Sequence, residues 1–331
     1  VGKDRNPVSA RFVTFAGISC PPFAAGTTKH VQPMLSTIKK YPRSPDKNYI
    51  FSVLIPTWNN LECLQLCVES IRRYSAFPHQ IIVHVNEGKD GTIAWLETQA
   101  DIDYTWSTEN IGICYGLNIA RTLSRADYLC YLNDDMIVLP EWDTPLCTEI
   151  ERIGHHAFIL SGTAIEPRDT GNPCVIVQDY GDGPENFDRE KLLREFRALE
   201  KPDWTGSTWP PIVLHRDLWD LVGGLSIEFS PGMYSDPDLS MKLWQSGVRY
   251  FKGLGQSRVY HFGSKSTKRK RMNRGREIFL LKWGISSNTF TSKYLRRGTP
   301  FSGPLETPEI SAAARFKNTF KRVLSALGQG V

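Results

Sequence analysis

No CxxC pair occurs among the seven cysteines of this 331-residue chain, and the count is odd. A disulfide framework and a zinc ribbon are both poor fits to that usage. Cys63 and Cys67 lie four apart on one helical face, but no further ligand stands beside them, so core packing is the expectation. Cys20, Cys114, Cys130, Cys147 and Cys174 are read in the same way, as reduced thiols in a reducing, cytoplasmic compartment. No uninterrupted apolar run approaches the ~18–20 residues that span a bilayer. The most apolar stretch near the start, Phe12–Gly26, is broken by Pro21-Pro22. A soluble protein is expected. There is no repeat of fixed period and no long low-complexity tract. The formal net charge is +5, too small by itself to imply nucleic acid.

What is present is an alternation of short apolar runs and amphipathic segments. Residues 1–48 carry Pro7, Pro21, Pro22, Pro33, Pro42 and Pro45 and are expected to be an irregular extension. Tyr49–Pro56 then reads as a buried strand. Asn59 and Glu62 have the spacing of a capping box, followed by a helix to about Tyr74. Strands are expected at Gln80–Val85, Tyr104–Ser107 and Tyr128–Leu132, with helices at Thr92–Thr98 and Gly112–Leu123. This order predicts an α/β fold with a mostly parallel central sheet. Ligands of such sheets bind beyond the carboxyl ends of the strands. The second half is less regular. It has strands at Phe158–Ser161, Val175–Gln178 and Arg258–Phe262, helices at Asp188–Glu200 and Leu239–Gln245, and a Trp- and Pro-bearing loop at Trp204–Pro211.

Three clusters can carry chemistry. Asn133-Asp134-Asp135 follows an apolar strand, where adjacent carboxylates repel unless a cation or donors sit beside them. A hard divalent ion suits them; so does a simple turn. Asp236 and Asp238 precede a helix. Asp238 is expected as its N-cap, which leaves Asp236 for a general base; a capping pair is the alternative. His261 ends a strand, where a structural role is the ordinary one.

The order of these features resembles family 2 glycosyltransferases of the GT-A fold. Pro56-Thr57-Trp58-Asn59, Val85-Asn-Glu-Gly-Lys-Asp-Gly-Thr92 and Glu109-Asn-Ile-Gly112 with Gly116 and Asn118 are similar to the family's first half. Leu132-Asn-Asp-Asp-Met136, with Pro140-Glu-Trp142 after it, looks like its metal-binding segment. Gly223-Gly224 and Ser235-Asp-Pro-Asp-Leu239 resemble its second-half signature. The resemblance spans roughly residues 49–285. Asn86 and Glu87 stand where the family usually has aspartates, Asn133 replaces the first metal-motif Asp, and Ser235 replaces a Glu. Rhamnosyl- and galactofuranosyltransferase-like members also carry Asn in the metal motif.

The resemblance implies an inverting, metal-assisted transfer from a nucleotide-diphosphate sugar to a glycan or glycolipid, in polysaccharide or cell-envelope synthesis. Asp135 and His261 would bind Mn²⁺ or Mg²⁺, and Asp236 would be the base. Pro56, Thr57, Asn59, Glu87, Asn118, Asn133 and Asp134 would hold the donor; Trp204, Trp209 and Gly224 would meet the acceptor. It also implies a glycosyltransferase domain over residues 49–294, with a nucleotide half to 136 and an acceptor half after it, and a tail over 295–331. A catalytically degenerate domain that only binds is the rival. A nucleotidyltransferase is disfavoured, because Thr57-Trp-Asn-Asn60 is neither Gly-rich nor basic.

Two basic features remain. The run from Lys265 to Arg276 suits either a solvated loop or diphosphate binding; it lacks the interleaved aromatics of a nucleic-acid site. In the stretch Ala312–Leu327, Phe316, Phe320, Val323, Leu324 and Leu327 share one helical face among Arg315, Lys317, Lys321 and Arg322. That pattern suits peripheral association with an anionic membrane, or packing on the domain.

Overall fold

The computed structural model describes residues 38–263 and 273–326. The runs rich in β-branched and aromatic residues form one sheet. Its strands are β1 (Ile38–Tyr41), β2 (Phe51–Trp58), β3 (Gln80–Asn86), β4 (Ile102–Ser107), β5 (Tyr128–Tyr131), β6 (Met136–Val138), β7 (Phe158–Glu166), β8 (Ile176–Val177), β9 (Trp204–Thr205), β10 (Ile212–His215) and β11 (Tyr250–His261). The order across the sheet is β1-β4-β3-β2-β5-β10-β7-β11-β6, with β8 beside β7 and β9 beside β11.

The expected parallel pairing holds from β4 through β3 and β2 to β5. Beyond β5 the sheet is mixed. β10 runs antiparallel to both β5 and β7, and β6 and β9 run antiparallel to β11. Parallel pairing returns where β7 meets β8 and β11, and β1, β6, β9 and β10 are the antiparallel members.

Residues alternate between two apolar layers, because successive side chains on a strand point to opposite faces. Phe51, Val53 and Ile55 meet Leu64, Cys67, Val68 and Ile71 of the helix Leu61–Tyr74. Leu54 and Ile82 face the other way, toward Leu117 of the helix Gly112–Ala120 and Leu239 and Leu243 of the helix Ser235–Gln245. The six described cysteines are unpaired, five of them buried.

Several boundaries differ from expectation. β1 lies inside the stretch expected to be irregular. It forms the sheet edge against β4, where Tyr41 stacks on Tyr104 at 4.4 Å and Lys39 lies over Trp106. Residues 1–37 lie outside the described residues. The tail expected to begin at 295 is also anchored. Leu295 and Leu305 are buried, and Gly298 N and Phe301 N donate to Thr205 and Asp203 carbonyls, filling the open side of β9.

The Asn59–Glu62 capping box does not form. Asn59 takes a φ of 46° and turns its side chain to the neighbouring loop, accepting from Lys89 N at 2.8 Å. Asp90 accepts from Leu61 N at 2.8 Å instead, so the cap arrives from a different segment.

Candidate active site

The strand ends converge along one edge. Thr57, Asn86 and Ser107 close β2, β3 and β4, and Asp134-Asp135 follow β5. Thr57 is buried and its Oγ1 donates to Asp134 Oδ2 at 2.7 Å. Burial, then the adjacent Asp135 charge, pushes the Asp134 carboxyl up to about 7 against hydrogen bonds from Thr57 and Asn60. Asn86 Oδ1 accepts from Ile111 N at 2.9 Å and Gly112 N at 3.2 Å, and this fixes the loop that opens the next helix. Asn86 is thus committed to loop architecture. Glu87, at a φ of 63°, points from the same edge and receives Asn59 Nδ2 at 3.1 Å. Slight desolvation opposes its ionisation, but hydrogen bonds from Trp58, Asn59 and Lys89 outweigh it and hold the carboxyl below its usual range.

Asp135 and His261 meet across β6 and β11, with Nε2 to Oδ1 at 3.4 Å. His261 Nδ1 lies 2.9 Å from Glu166 Oε1, at the end of β7. Burial alone would lower the imidazole pKa, yet Asp135 and Glu166 outweigh it and raise it to about 10. Glu166 is the site residue that sequence reasoning missed. It sits in no motif, and only the parallel pairing of β7 with β11 brings it beside His261.

The Asp135–His261 pair fits a divalent cation. His261 Nε2 is enclosed and makes no hydrogen bond. Cis ligand atoms around a hard ion with bonds of about 2.1 Å stand roughly 3 Å apart, close to the observed separation. No group of three or more His, Cys, Asp or Glu able to hold a metal occurs among the described residues. Two protein ligands with the rest from substrate phosphates and water is a usual arrangement for Mg²⁺.

Across the edge, Asp236 lies in the first turn of the helix Ser235–Gln245, which begins four residues earlier than the sequence suggested. Its Oδ1 is enclosed and has no hydrogen-bond partner among the described residues. Burial pushes this carboxyl up to about 7. The phenol of Tyr131 is raised well above its ordinary value by burial, then by the charges of Asp236, Cys114, Asp135 and Asp134. That one ring therefore senses both carboxylate groups of the site.

Asp238 is not the N-cap. It is fully buried and accepts from Ser226 Oγ at 2.6 Å and Trp283 Nε1 at 2.8 Å, with Lys282 Nζ at 2.9 Å. Tyr234 occupies the cap position with a φ of 71°, and Ser235 Oγ closes the turn on Gly232 O at 2.6 Å.

Residues 52–200 match the family model described as Glycosyl transferase family 2. That stretch, a little under half of the chain, is similar to the family 2 glycosyltransferases. The chain is 37% identical over 90 residues to the uncharacterized glycosyltransferase YfnE of Bacillus subtilis, covering 26% of this chain and 23% of that protein. It is 23% identical over 267 residues to the uncharacterized protein y4gI of Sinorhizobium fredii, covering 70% of this chain and 27% of that one. The chain thus spans about a quarter of the length of each of these relatives. Among solved structures, S. aureus TarS 1–349 in complex with UDP-GlcNAc superposes with a TM-score of 0.52 at 12% identity. That match covers 83% of this chain and 72% of that one. The likeness establishes the GT-A fold.

Within this fold, three expected contacts are redirected. Asn118 was expected to reach the donor. Both ends of its amide instead hold Leu225, Nδ2 to O at 2.7 Å and Oδ1 from N at 2.9 Å. Gly224, expected near the acceptor, makes room for that clip. Its φ is 62° and a Cβ there would lie 2.2 Å from Asn118 Oδ1. Trp204 is buried, with Nε1 donated to Thr163 at 2.9 Å, so it packs the core and cannot face an acceptor. Trp209 is half-buried, with Arg297 over its ring at 4.5 Å. Pro56 pairs with His84 inside the sheet, one residue behind the edge. Asn133 is half-buried beside the carboxylates, its carbonyl accepting from Met136 N at 3.2 Å. Of the basic run, Lys265 and Lys268 to Arg271 lie outside the described residues.

Proposed function

We propose that the chain transfers a sugar from a nucleoside-diphosphate donor to an acceptor hydroxyl with inversion, and that Asp236 is the base. The observation that carries this reading is the enclosed, unpartnered Oδ1 of Asp236, with its carboxyl raised to about 7. A half-buried carboxylate with one oxygen enclosed and without a donor is costly and has no packing purpose; a base tuned to neutral pH needs such an environment. A domain that only bound sugar nucleotide would have no use for it.

In this reading Glu87, Asn59 and Thr57 hold the nucleoside and its ribose at the ends of β2 and β3. Asp135 and His261 would hold Mn²⁺ or Mg²⁺, which when bound offsets the negative charge that gathers on the departing diphosphate. Glu166, accepting from His261 Nδ1, orients the ring so that Nε2 would face that position once a bound cation replaces its proton. The acceptor hydroxyl gives its proton to the Asp236 carboxylate as its oxygen bonds to the anomeric carbon. The bond from that carbon to the phosphate oxygen breaks on the opposite face, and its electron pair leaves with the diphosphate. Trp209 offers a flat surface for an acceptor glycan or glycolipid to stack on. TarS was captured with UDP-GlcNAc, so UDP-sugars are the first donors to test.

The test is turnover of a donor panel with Mg²⁺ by wild type, Asp135→Ala and Asp236→Asn. Transfer by wild type alone, with donor binding retained in Asp236→Asn, supports the reading. Donor binding without turnover in wild type would favour the binding module.

A further inference from the structure

The helix Ala312–Ala326 docks with the wrong face inward for an ordinary surface helix. It lies on the helix Gly275–Trp283 through polar residues. Asn318 and Ser325 are each only 5% exposed, and Asn318 Oδ1 accepts from Ser286 N at 3.3 Å and Thr289 Oγ1 at 3.4 Å. The apolar residues point out: Phe316 is 74% exposed, Phe320 55% and Val323 53%. Their spacing of four and then three residues places them on one stripe.

The rim of that stripe is basic. The helix sequence carries Arg315, Lys317, Lys321 and Arg322 and no acid. No carboxylate pairs with Lys317, Lys321 or Arg322 among the described residues. Desolvation, then Arg276 and Lys317, lowers the Lys321 pKa, as expected where cations crowd without a counter-charge. A second copy of the chain would press the same basic rim against itself, and like charges at a two-fold contact repel. A surface that is apolar beneath and negative above matches both features.

We propose that this face seats on an anionic lipid surface. Phe316, Phe320 and Val323 enter the acyl boundary, while Lys317, Lys321 and Arg322 engage headgroup phosphates. The helix stays docked, because its ties to Ser286 and Thr289 use the opposite face.

The test is co-sedimentation of the full chain with vesicles of phosphatidylglycerol and, separately, of phosphatidylcholine. Expected is binding to phosphatidylglycerol that weakens as salt rises, with little binding to phosphatidylcholine. Phe316→Ser with Phe320→Ser should lower partitioning by at least about 100-fold. Lys317→Gln and Lys321→Gln should each lower it by about fivefold. All four side chains are exposed or half-buried, so the thermal midpoint should not move. Equal binding to both lipids, no binding to either, or binding indifferent to the Phe pair would overturn the proposal. So would Phe320→Ser dissociating an oligomer in sedimentation equilibrium, which would assign the face to another copy. No donor or acceptor enters the assay, so its outcome is independent of the transferase reading.

Discussion

Replacing Asp236 by Asn should make the protein slower and more stable at once. The carboxyl is raised from 3.8 to about 7 by burial, so the folded state holds a proton that the unfolded chain has released. Between those two pH values the folded state binds more protons, and stability falls as pH rises. Above about 7 the half-buried carboxyl is charged in the folded state as well. At about 1.4 kcal/mol per pH unit the shift corresponds to an upper limit of roughly 4 kcal/mol. Asn at the same place is still a polar group without partners, and that costs about 1–3 kcal/mol. The net gain is then roughly 1–3 kcal/mol above pH 7, or about 2–5 °C in Tm for a domain of this size. The gain should shrink toward pH 4, where the native Asp is protonated. Turnover should fall by about 10²–10⁴-fold while donor affinity holds. Thermal melts across pH and initial rates with saturating donor read both arms. A variant that loses stability at high pH, or one that keeps near-normal turnover, would refute this reasoning.

Other outcomes follow from the same geometry. The kcat/KM of wild type should rise with pH through a midpoint near 7 as Asp236 loses its proton; a profile flat from pH 5 to 9 would remove Asp236 as base. Asp238→Asn should behave oppositely to Asp236→Asn, costing roughly 2–3 kcal/mol in denaturant melts, because it weakens charge-assisted bonds to Ser226, Trp283 and Lys282. Glu166→Gln should weaken Mn²⁺ binding by about 10–100-fold, measured by titration of the free-ion signal, without shifting the melt; unchanged affinity would show that His261 needs no orienting partner.

The first half was legible because its pattern is local. Each buried run of β2 to β5 ends in a polar loop, and the alternation of strand and helix sets the topology. Asp134, Asp135 and Thr57 could be placed at one edge from that alone, and they stand there. The second half resisted because its contacts are long-range. β10 threads antiparallel between β5 and β7, and no periodicity announces that. Glu166 reaches His261 across 95 positions of sequence. Asn118 looked like a ligand contact until Leu225, 107 residues on, took both ends of its amide. Asp238 looked like a cap because acids at helix starts usually are; the Trp283 and Lys282 that claim it come from a later helix. The N-terminal edge was missed for a different reason. A four-residue strand flanked by prolines carries too little pattern to read, and Tyr41 needs Tyr104 beside it to be held.

The central claim is metal-assisted transfer with inversion, with Asp135 and Asp236 on opposite sides of the reacting carbon. The most direct measurement is the anomeric configuration of the product, read by NMR with UDP-sugars, a panel of glycan acceptors and Mg²⁺. The account predicts a product of configuration opposite to the donor, formed by wild type and lost in Asp135→Ala and in Asp236→Asn. A product of retained configuration, or one formed equally well by Asp236→Asn, would contradict it.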